Sequence, residues 1–319
     1  MSPRYSIWSL LRGASSHQRT ASPAWPETEP KYAYDVVLIG GGGHGLATAY
    51  YLAKNHGIRN VAVVERAWIG GGNTGRNTTV VRSNYLYPES ARLYEFSLQL
   101  YESLSRELNF NIMLSQRGML LLAQSRHDLE MQSRAAAAMW MNGIDAELLS
   151  REQVATLAPL LDVSSAARFP VLGGLIQRRG GTARHDAVAW GYARAAASLG
   201  VDIIQNCEVR GFITDSTGGV CGVDTTRGTL RAGRIGIAAA GHSSVIARMA
   251  GFDLPVTSYA LQAMVTEPVK PCLNTVVLSP ATGVYVSQSD KGEMVIGGGL
   301  DLFPSYAQRG SFAVNQNVL

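Results

Sequence analysis

The chain has 319 residues, of which 46% are apolar and 16% are charged; this is enough apolar material for about two packed domains and excludes disorder of the whole chain. Its formal net charge is +4, but the basic residues are scattered and no apolar run approaches the ~18 residues of a membrane span, so neither nucleic-acid binding nor a transmembrane helix is expected. Its three cysteines form no CxxC pair and its six histidines lie far apart, which argues against a disulfide framework and a metal site and favours a cytoplasmic protein with reduced thiols.

Residues 1–30 differ in composition from the rest of the chain. They are rich in serine, contain Arg4, Arg12 and Arg19, and have no acidic residue before Glu27. A mitochondrial transit segment has this composition. An irregular N-terminal arm packed on the surface is the alternative that we favour.

A strand–turn–helix–strand unit follows. The apolar run Asp35–Ile39 predicts a buried parallel strand, and apolar residues between Leu46 and Ala53 recur at helical spacing. Gly57 is placed to end that helix, and Val61–Val64 predicts a second buried strand. Together these segments predict a βαβ unit.

The turn of this unit carries a G-x-G-x-x-G motif. Gly40 permits the tight turn, Gly42 lets the backbone approach a diphosphate, and Gly45 lets the helix and strand pack closely. Glu65 lies twenty residues after Gly45, at the end of the second strand, where its carboxylate can accept hydrogen bonds from a ribose. The combined context favours a dinucleotide site over a purely structural βαβ unit.

A polar, glycine-dense segment, Gly70–Thr79, comes soon after Glu65. Such a segment can wrap the outer end of a cofactor longer than NAD, such as FAD, and Arg76 can face the phosphate or the ring of that cofactor. A flexible surface turn is the alternative.

Three later helices have clear signals. A long helix is predicted over Pro88–Leu108, and Ser150 with Gln153 forms a capping box that opens a short helix. Asp186 is placed to cap a helix that Gly200 ends. The predicted buried stripe of the long helix consists of Leu93, Phe96, Leu100, Leu104 and Leu108.

The other predicted elements are a helix at 125–141 and a series of strands, at Gly118–Ala123, Asp202–Gln205, Glu208–Ile213, Val220–Thr226, Ile235–Ala239, Leu261–Glu267 and Tyr285–Gln288.

The stretches Asp35–Ala53 and Gly70–Ser83 resemble the FAD-dependent amine and amino-acid oxidoreductases related to D-amino-acid oxidase. Two further stretches, RRGGTARHDAVAWG at 178–191 and QSDKG at 288–292, narrow the resemblance to the β subunits of heterotetrameric sarcosine oxidases. The resemblance runs from about residue 30 to the end of the chain. The G-x-G-x-x-G motif is shared by many flavoproteins, whereas the stretch around His185 is specific.

This resemblance implies an α/β fold in which a FAD-binding, Rossmann-like domain of the glutathione-reductase type is interleaved with a mixed-sheet substrate domain. We expect the FAD-binding domain at 31–110 and 170–255. The substrate domain, which is expected to face FMN, is expected at 111–169 and 256–319 and is expected to be incomplete.

It also implies oxidative demethylation of sarcosine to glycine, with formaldehyde or methylene-tetrahydrofolate and hydrogen peroxide as the other products. In that family FAD is bound noncovalently, electrons pass from FAD to covalently attached FMN and then to oxygen, and α, γ and δ subunits complete the complex. The α subunit provides the folate site. The sequence does not decide between sarcosine and dimethylglycine as substrate.

Site residues follow from the resemblance position by position. Arg76, Asn77 and Thr78 would lie between the two flavins, near FMN. The backbone at Gly241 would pass close to the cofactor. For both Gly241 and Val209, an ordinary structural role in a loop or strand is an equally good alternative to a cofactor contact. The expected FAD contacts are Gly40, Gly42, Gly43, His44, Gly45, Glu65, Arg66, Asn73, Thr74 and Val209.

The resemblance assigns the covalent FMN to His185. The positive end of the following helix and the neighbouring Arg184 both favour a neutral imidazole, the form that can attack an activated flavin methyl carbon. Arg184 can also pair with a flavin phosphate. The alternative is a histidine that only caps or packs, in which case the chain would be a single-flavin amino-acid dehydrogenase.

The chain stops soon after Asp301–Phe312 without a polar tail, which suggests a truncated chain. Members of the family continue further and carry a flavin-proximal lysine in a segment that falls beyond Leu319. The catalytic residues therefore stay unassigned, and a non-catalytic scaffold fragment is a further alternative.

Overall fold

The computed structural model describes residues 7–16, 25–301, 314 and 316. Arg4, Arg19 and the stretch 302–312, on which expectations about the two ends of the chain partly rest, lie outside the described residues. The chain divides into two compact units. Unit 1 comprises 1–76, 106–111 and 185–257, and unit 2 comprises 77–105, 112–184 and 258–319.

Fifteen strands and seven α-helices are found in the described part of the chain. The strands are β1 Ala33–Ile39, β2 Val61–Val64, β3 Val80–Val81, β4 Met119–Ala123, β5 Glu147–Ser150, β6 Gly173–Gln177, β7 Gly181–Thr182, β8 Asp202–Ile204, β9 Val209–Thr214, β10 Val220–Thr225, β11 Gly228–Ile237, β12 Ala260–Pro268, β13 Val276–Ser279, β14 Val284–Gln288 and β15 Glu293–Asp301. The helices are α1 Ile7–Ser15, α2 Gly43–His56, α3 Pro88–Glu107, α4 Arg126–Met141, α5 Arg151–Leu157, α6 His185–Ser198 and α7 Ser243–Met249.

Unit 1 is built on a six-stranded sheet in the order β8-β2-β1-β11-β10-β9. The first four strands are parallel, β10 runs antiparallel to β11, and β9 runs antiparallel to β10. The predicted βαβ unit is confirmed: β1, α2 and β2 follow the expected segments, and Gly57 ends α2 at a φ of 69°. All four residues of β2 are buried, as parallel strands covered on both faces require.

Unit 2 is built on a seven-stranded mixed sheet in the order β12-β15-β14-β13-β4-β6-β5. A two-stranded ladder of β3 and β7 accompanies it. The capping box at the start of α5 is confirmed in both halves, since the Ser150 side chain accepts from the Gln153 amide and the Gln153 side chain accepts from the Ser150 amide. The α/β fold with two discontinuous units agrees with the expectation.

The unit boundaries differ from the expected domain boundaries. Residues 77–105 and 170–184, which the sequence assigns to the FAD-binding domain, belong to unit 2. The reason is that β6 is a strand of the seven-stranded sheet and that Arg179, just after it, bonds Glu95 and Glu102 of α3. Contacts between residues so far apart leave no periodic pattern in the sequence, so the sequence does not predict these boundaries.

The predicted buried stripe of α3 is confirmed at Leu104 and Leu108, which are buried, and wrong at Leu93 and Phe96. Leu93 and Phe96 are 63% and 60% exposed, whereas Leu98 is fully buried. In this part of the helix Glu95 faces the protein instead, where its carboxylate accepts from Ser83 Oγ at 2.7 Å and from Arg179 Nη1 at 2.6 Å.

Two smaller expectations are corrected. Residues 7–15 form helix α1 rather than an irregular arm. Helix α6 begins at His185, so Asp186 is its second residue and not its cap, and the Asp186 side chain accepts from the Ala187 amide at 2.8 Å. None of the helices in the described ranges is long and apolar enough to cross a membrane.

Candidate functional site

The glycine-rich turn of unit 1 is shaped by contacts that no side chain could share. Gly40 has a φ of +116°, and a Cβ there would lie 2.4 Å from the carbonyl oxygen of Ala238 at the end of β11. A Cβ at Gly45 would lie 2.0 Å from the carbonyl oxygen of Gly40. Both distances are far below van der Waals contact, so the turn folds against β11 and α2 only with glycine at these two positions.

Glu65 is held against this turn by two backbone amides. Its Oε2 accepts from the Gly41 amide at 2.8 Å, and its Oε1 accepts from the Ala67 amide at 3.0 Å. Each carboxylate oxygen has two lone pairs, so both can accept a further hydrogen bond from a ribose hydroxyl. The strand end and the turn therefore present a fixed hydrogen-bond acceptor beside the glycines.

The N-terminus of α2 is open toward the same turn. Gly42 is the N-cap in an extended conformation, and the Gly43 amide donates to Thr74 Oγ1 at 3.0 Å. Among the described residues, no acceptor bonds the amides of His44 and Gly45. Free amides at a helix N-terminus, with the helix dipole behind them, are the features that bind a diphosphate.

The segment after Glu65 folds back over the turn. The Gly70 amide donates to the Gly41 carbonyl at 3.0 Å, and the Ile69 amide donates to Gln205 Oε1 at 2.9 Å. Residues Asn73–Arg76 form a 3-10 turn, which brings Thr74 to α2 and leaves Asn73 and Arg76 exposed, as Arg66 is. The polar segment is thus held by the turn rather than extended into solvent.

Two further predicted positions lie close to this cradle. The Cys207 amide donates to the Glu65 carbonyl at 2.8 Å, which places Val209, two residues on, at the start of the edge strand β9. Gly241 lies in a 3-10 turn just after β11, the strand that backs Gly40. The residues of unit 1 therefore fit a dinucleotide: a cradle that a Cβ would fill, an anion-binding helix end and a ribose acceptor.

A second group of predicted residues comes together in unit 2. Thr78 Oγ1 donates to the phenol oxygen of Tyr285 at 3.1 Å, and Asn77 Oδ1 accepts from the Thr79 amide at 2.7 Å. The Ala183 amide donates to the Thr79 carbonyl at 3.0 Å, so Thr78 and Arg184 flank the β3–β7 ladder.

Arg184 is anchored to the turn that follows β14. Its Nη1 donates to Asp290 Oδ2 at 3.2 Å, and its amide donates to the Ile112 carbonyl at 3.0 Å. His185 follows as the first residue of α6 in unit 1; it is partly buried, and its Nδ1 is shielded from solvent.

Sequence reasoning missed two residues of the unit 2 group. Tyr285 lies on β14, where its ring crosses Gly297 so closely that a Cβ there would lie 2.2 Å from the ring. Arg117 donates through Nη2 to Thr182 Oγ1 at 3.1 Å and to the Gln288 carbonyl at 2.8 Å. Neither has a spacing signal in the sequence, because each reaches the group from a distant part of the chain.

Comparison with known proteins agrees with the dinucleotide site that the geometry of unit 1 indicates. Residues 35–318 match the family described as FAD dependent oxidoreductase. The chain is 53% identical to sarcosine oxidase subunit beta of Rhodobacter capsulatus, over 97% of this chain and 74% of that protein. It is 54% identical to the protein of the same name from Rhizobium meliloti, over 99% of this chain and 75% of that protein.

Among solved structures, L-proline dehydrogenase from P. horikoshii is similar with a TM-score of 0.79 and 28% identity, over 88% of this chain and 72% of that one. Glycine oxidase from Geobacillus kaustophilus has the same fold, with a TM-score of 0.72 and 23% identity, over 85% of this chain and 72% of that one. The cradle of unit 1, the match along most of the chain and the likeness in fold agree: the chain belongs to the family of FAD-dependent oxidoreductases.

Proposed function

We propose that the chain is the β subunit of a heterotetrameric sarcosine oxidase, which converts sarcosine, oxygen and water to glycine, formaldehyde and hydrogen peroxide. The observation that carries the proposal is identity of 53–54% to two sarcosine oxidase β subunits over 97–99% of this chain. The dinucleotide cradle of unit 1 supports it, because the reaction needs a bound two-electron acceptor.

When bound, FAD would supply an acceptor for the two electrons of the substrate C–H bond, and FMN would supply the route from FAD to oxygen. The residues assigned to FAD bind different parts of the cofactor. The amides at the start of α2 and Thr74 orient the diphosphate, and Glu65 accepts the ribose hydroxyls. His44, Arg66, Asn73 and Val209 are the proposed contacts for the remainder of the cofactor.

FMN is proposed to be attached covalently to His185, with Arg76, Asn77 and Thr78 near it and Arg184 paired with its phosphate. The position of His185 at the start of a 14-residue helix supports this, because the helix dipole favours the neutral imidazole that can act as nucleophile. Thr78 bonds Tyr285 of β14 and Arg184 bonds Asp290 in the turn after β14, which supports a common role.

The flavin assignment has a direct test. Acid precipitation of the enzyme isolated from its native host should leave FMN in the protein pellet and release FAD into the supernatant. Mass spectrometry of the peptide that contains His185 should find the mass of FMN added. Complete release of all flavin would instead support a single-flavin amino-acid dehydrogenase in which His185 is structural.

The substrate is tested separately. We expect the assembled enzyme to produce glycine, formaldehyde and hydrogen peroxide from sarcosine, and methylene-tetrahydrofolate when tetrahydrofolate is present. Turnover of dimethylglycine in preference to sarcosine would contradict the assignment, and a chain that never takes up flavin with its partners would indicate a scaffold.

We propose α, γ and δ subunits as partners and the cytoplasm as the location. Exposed apolar side chains just before α3 and in its first half support an assembly, because clustered exposed apolar side chains often mark a protein interface. These side chains are Leu86, Tyr87, Leu93 and Phe96. The three cysteines are free, which supports a reducing compartment. Copurification of the subunits from the native host tests the assembly.

A further inference from the structure

Helix α1 is amphipathic, and its apolar side chains are exposed. Ile7, Leu10 and Leu11 recur at the spacings i, i+3 and i+4, so they share one face of the helix. Trp8 lies three residues before Leu11 and widens this face. These four side chains form the apolar face of α1, and each of them is between 55% and 74% exposed.

The remainder of α1 is small and basic. Arg12 lies in the last turn, where a cation suits the negative end of the helix dipole. Ser15 Oγ donates to the Arg12 carbonyl at 2.9 Å, and Ser16 Oγ donates to the Gly13 carbonyl at 3.2 Å. Residues 1–26 contain three arginines and no acidic residue. A surface complementary to α1 is therefore apolar at its centre and has carboxylates at its rim.

The size of the apolar face limits what α1 can do. A helix of nine residues is marginal in water, and tertiary packing of its apolar face is what stabilises such a helix. Four large side chains at roughly 100 Å² each offer about 400 Å² for burial. A stable interface between two proteins buries roughly 800 Å² on each partner. The apolar face of α1 therefore suits an anchor that adds to a larger interface, and is too small to hold two copies of this chain together alone.

Helix α1 lies outside the part of the chain that matches the flavoprotein family. The family match begins at residue 35. The match to sarcosine oxidase subunit beta of Rhizobium meliloti covers 99% of this chain and so includes α1. The helix is therefore shared with a protein that is named as one subunit of an enzyme, which favours a role in assembly over a role in flavin binding.

A bilayer surface is the alternative occupant for an amphipathic helix. Helices that lie on membranes combine an apolar face with several basic residues, and each basic residue adds only a little to the attraction for anionic lipids. Helix α1 contains one basic residue, Arg12. Apolar anchors at i, i+3 and i+4 with a single charge favour a groove in a protein.

We propose that α1 docks by its apolar face into an apolar, acid-rimmed groove on another subunit of the assembled enzyme. The inference rests on the proposed function, because the partner is taken from the proposed hetero-oligomer. It assigns the attachment to a segment that precedes the flavin-binding fold. The helix then contributes to how tightly the subunits hold together and leaves the flavin sites unchanged.

The first test measures dissociation of the complete enzyme on dilution, by mass photometry. Trp8→Ala and Leu11→Ala remove anchors but keep a good helix former at each position. We expect Trp8→Ala to raise the concentration at which half of the β subunit dissociates by about tenfold or more, and Leu11→Ala by about threefold or more. The FAD content and sarcosine turnover of the intact assembly should stay unchanged, which also shows that the variants fold.

Gly13→Ala is the matched control on the same helix. A Cβ at Gly13 meets nothing within 4 Å, and alanine strengthens the helix without enlarging its apolar face. This variant should dissociate at or below the wild-type concentration. An unchanged concentration in Trp8→Ala, or an equal rise in Trp8→Ala and Gly13→Ala, overturns the proposal.

A second measurement identifies the occupant. The photo-cross-linking variant Trp8→p-benzoylphenylalanine, in the complete enzyme, should form a cross-link to a segment of another subunit that contains apolar and acidic residues. A cross-link within the same chain or to a second copy of it contradicts the proposal. So does flotation of the wild-type enzyme, but not of Trp8→Ala, with vesicles of equal parts phosphatidylcholine and phosphatidylglycerol. An intact mass that lacks α1 in the native enzyme would identify a removed targeting segment and would contradict it as well.

Failure of the proposed function gives a different result. An enzyme that assembles and in which α1 strengthens the assembly, but which does not oxidise sarcosine, refutes the function and leaves the docking of α1 supported. An enzyme that oxidises sarcosine and dissociates equally in all variants refutes the docking alone. A chain that purifies from its native host without any other subunit refutes both.

Discussion

At the scale of single residues, the dinucleotide cradle depends on the absence of side chains. We expect Gly45→Ala to lower the free energy of unfolding by about 1–3 kcal/mol, because its Cβ would overlap the Gly40 carbonyl oxygen at 2.0 Å and force the turn apart. The urea midpoint of the purified protein measures this loss. FAD retained after gel filtration should fall in parallel.

Gly43→Ala is the matched control for that substitution. Its Cβ would meet only Thr74 Oγ1, at 3.8 Å, which is ordinary contact, and alanine is a better helix former than glycine. The free energy of unfolding of this variant, obtained from urea denaturation, should stay within about 0.5 kcal/mol of the wild-type value. Equal loss in the two variants would contradict a steric role for Gly45.

At the scale of elements, α3 is tied to the chain after β6 by one arginine. Arg179 donates to Glu102 through Nε at 2.8 Å and through Nη2 at 2.9 Å, and these bonds hold the pKa of Glu102 below its ordinary value. A lowered pKa means that the stabilisation is present above the pKa of an unfolded glutamate and is lost as the pH falls through the folded pKa.

Glu102→Gln tests this link. We expect it to lose about 1 kcal/mol of stability at pH 7, a modest value because the pair is about one-third exposed and partly screened. The loss should begin to shrink below the pKa of an unfolded glutamate, about 4.3, and should reach zero once the pH is below the lower pKa of folded Glu102, where the wild-type carboxylate is also protonated. Denaturant midpoints at several pH values measure it, with Glu89→Gln on the same helix as control; a loss independent of pH would exclude the ion pair as its cause.

At the scale of the whole molecule, the proposed FAD contacts all fall in unit 1. Asn77 and Thr78, which are proposed to lie near FMN, fall in unit 2. A ligand that binds only the folded state stabilises it by about 2.7 kcal/mol at a hundred times its Kd. Removal of FAD should therefore lower the unfolding temperature and speed amide exchange in β1, β2 and the start of α2. Hydrogen-exchange mass spectrometry should find less change in α5, whose capping box lies in unit 2; equal acceleration in both regions would contradict the assignment.

The sequence by itself determined the βαβ unit with its glycine turn, Glu65 and the capping box at Ser150, because local spacing and single-residue conformational needs decide these features. Tertiary structure alone decided that Leu93 and Phe96 of α3 are exposed, since an ion pair with Arg179 draws Glu95 inward against the apolar pattern. Tertiary structure also decided the positions of Arg117 and Tyr285. Arg117 bonds Thr182, close to Arg184, and Tyr285 bonds Thr78; each pair is more than 60 residues apart in the chain. Such contacts depend on how strands are ordered in a sheet, and the order of strands leaves no period in the sequence.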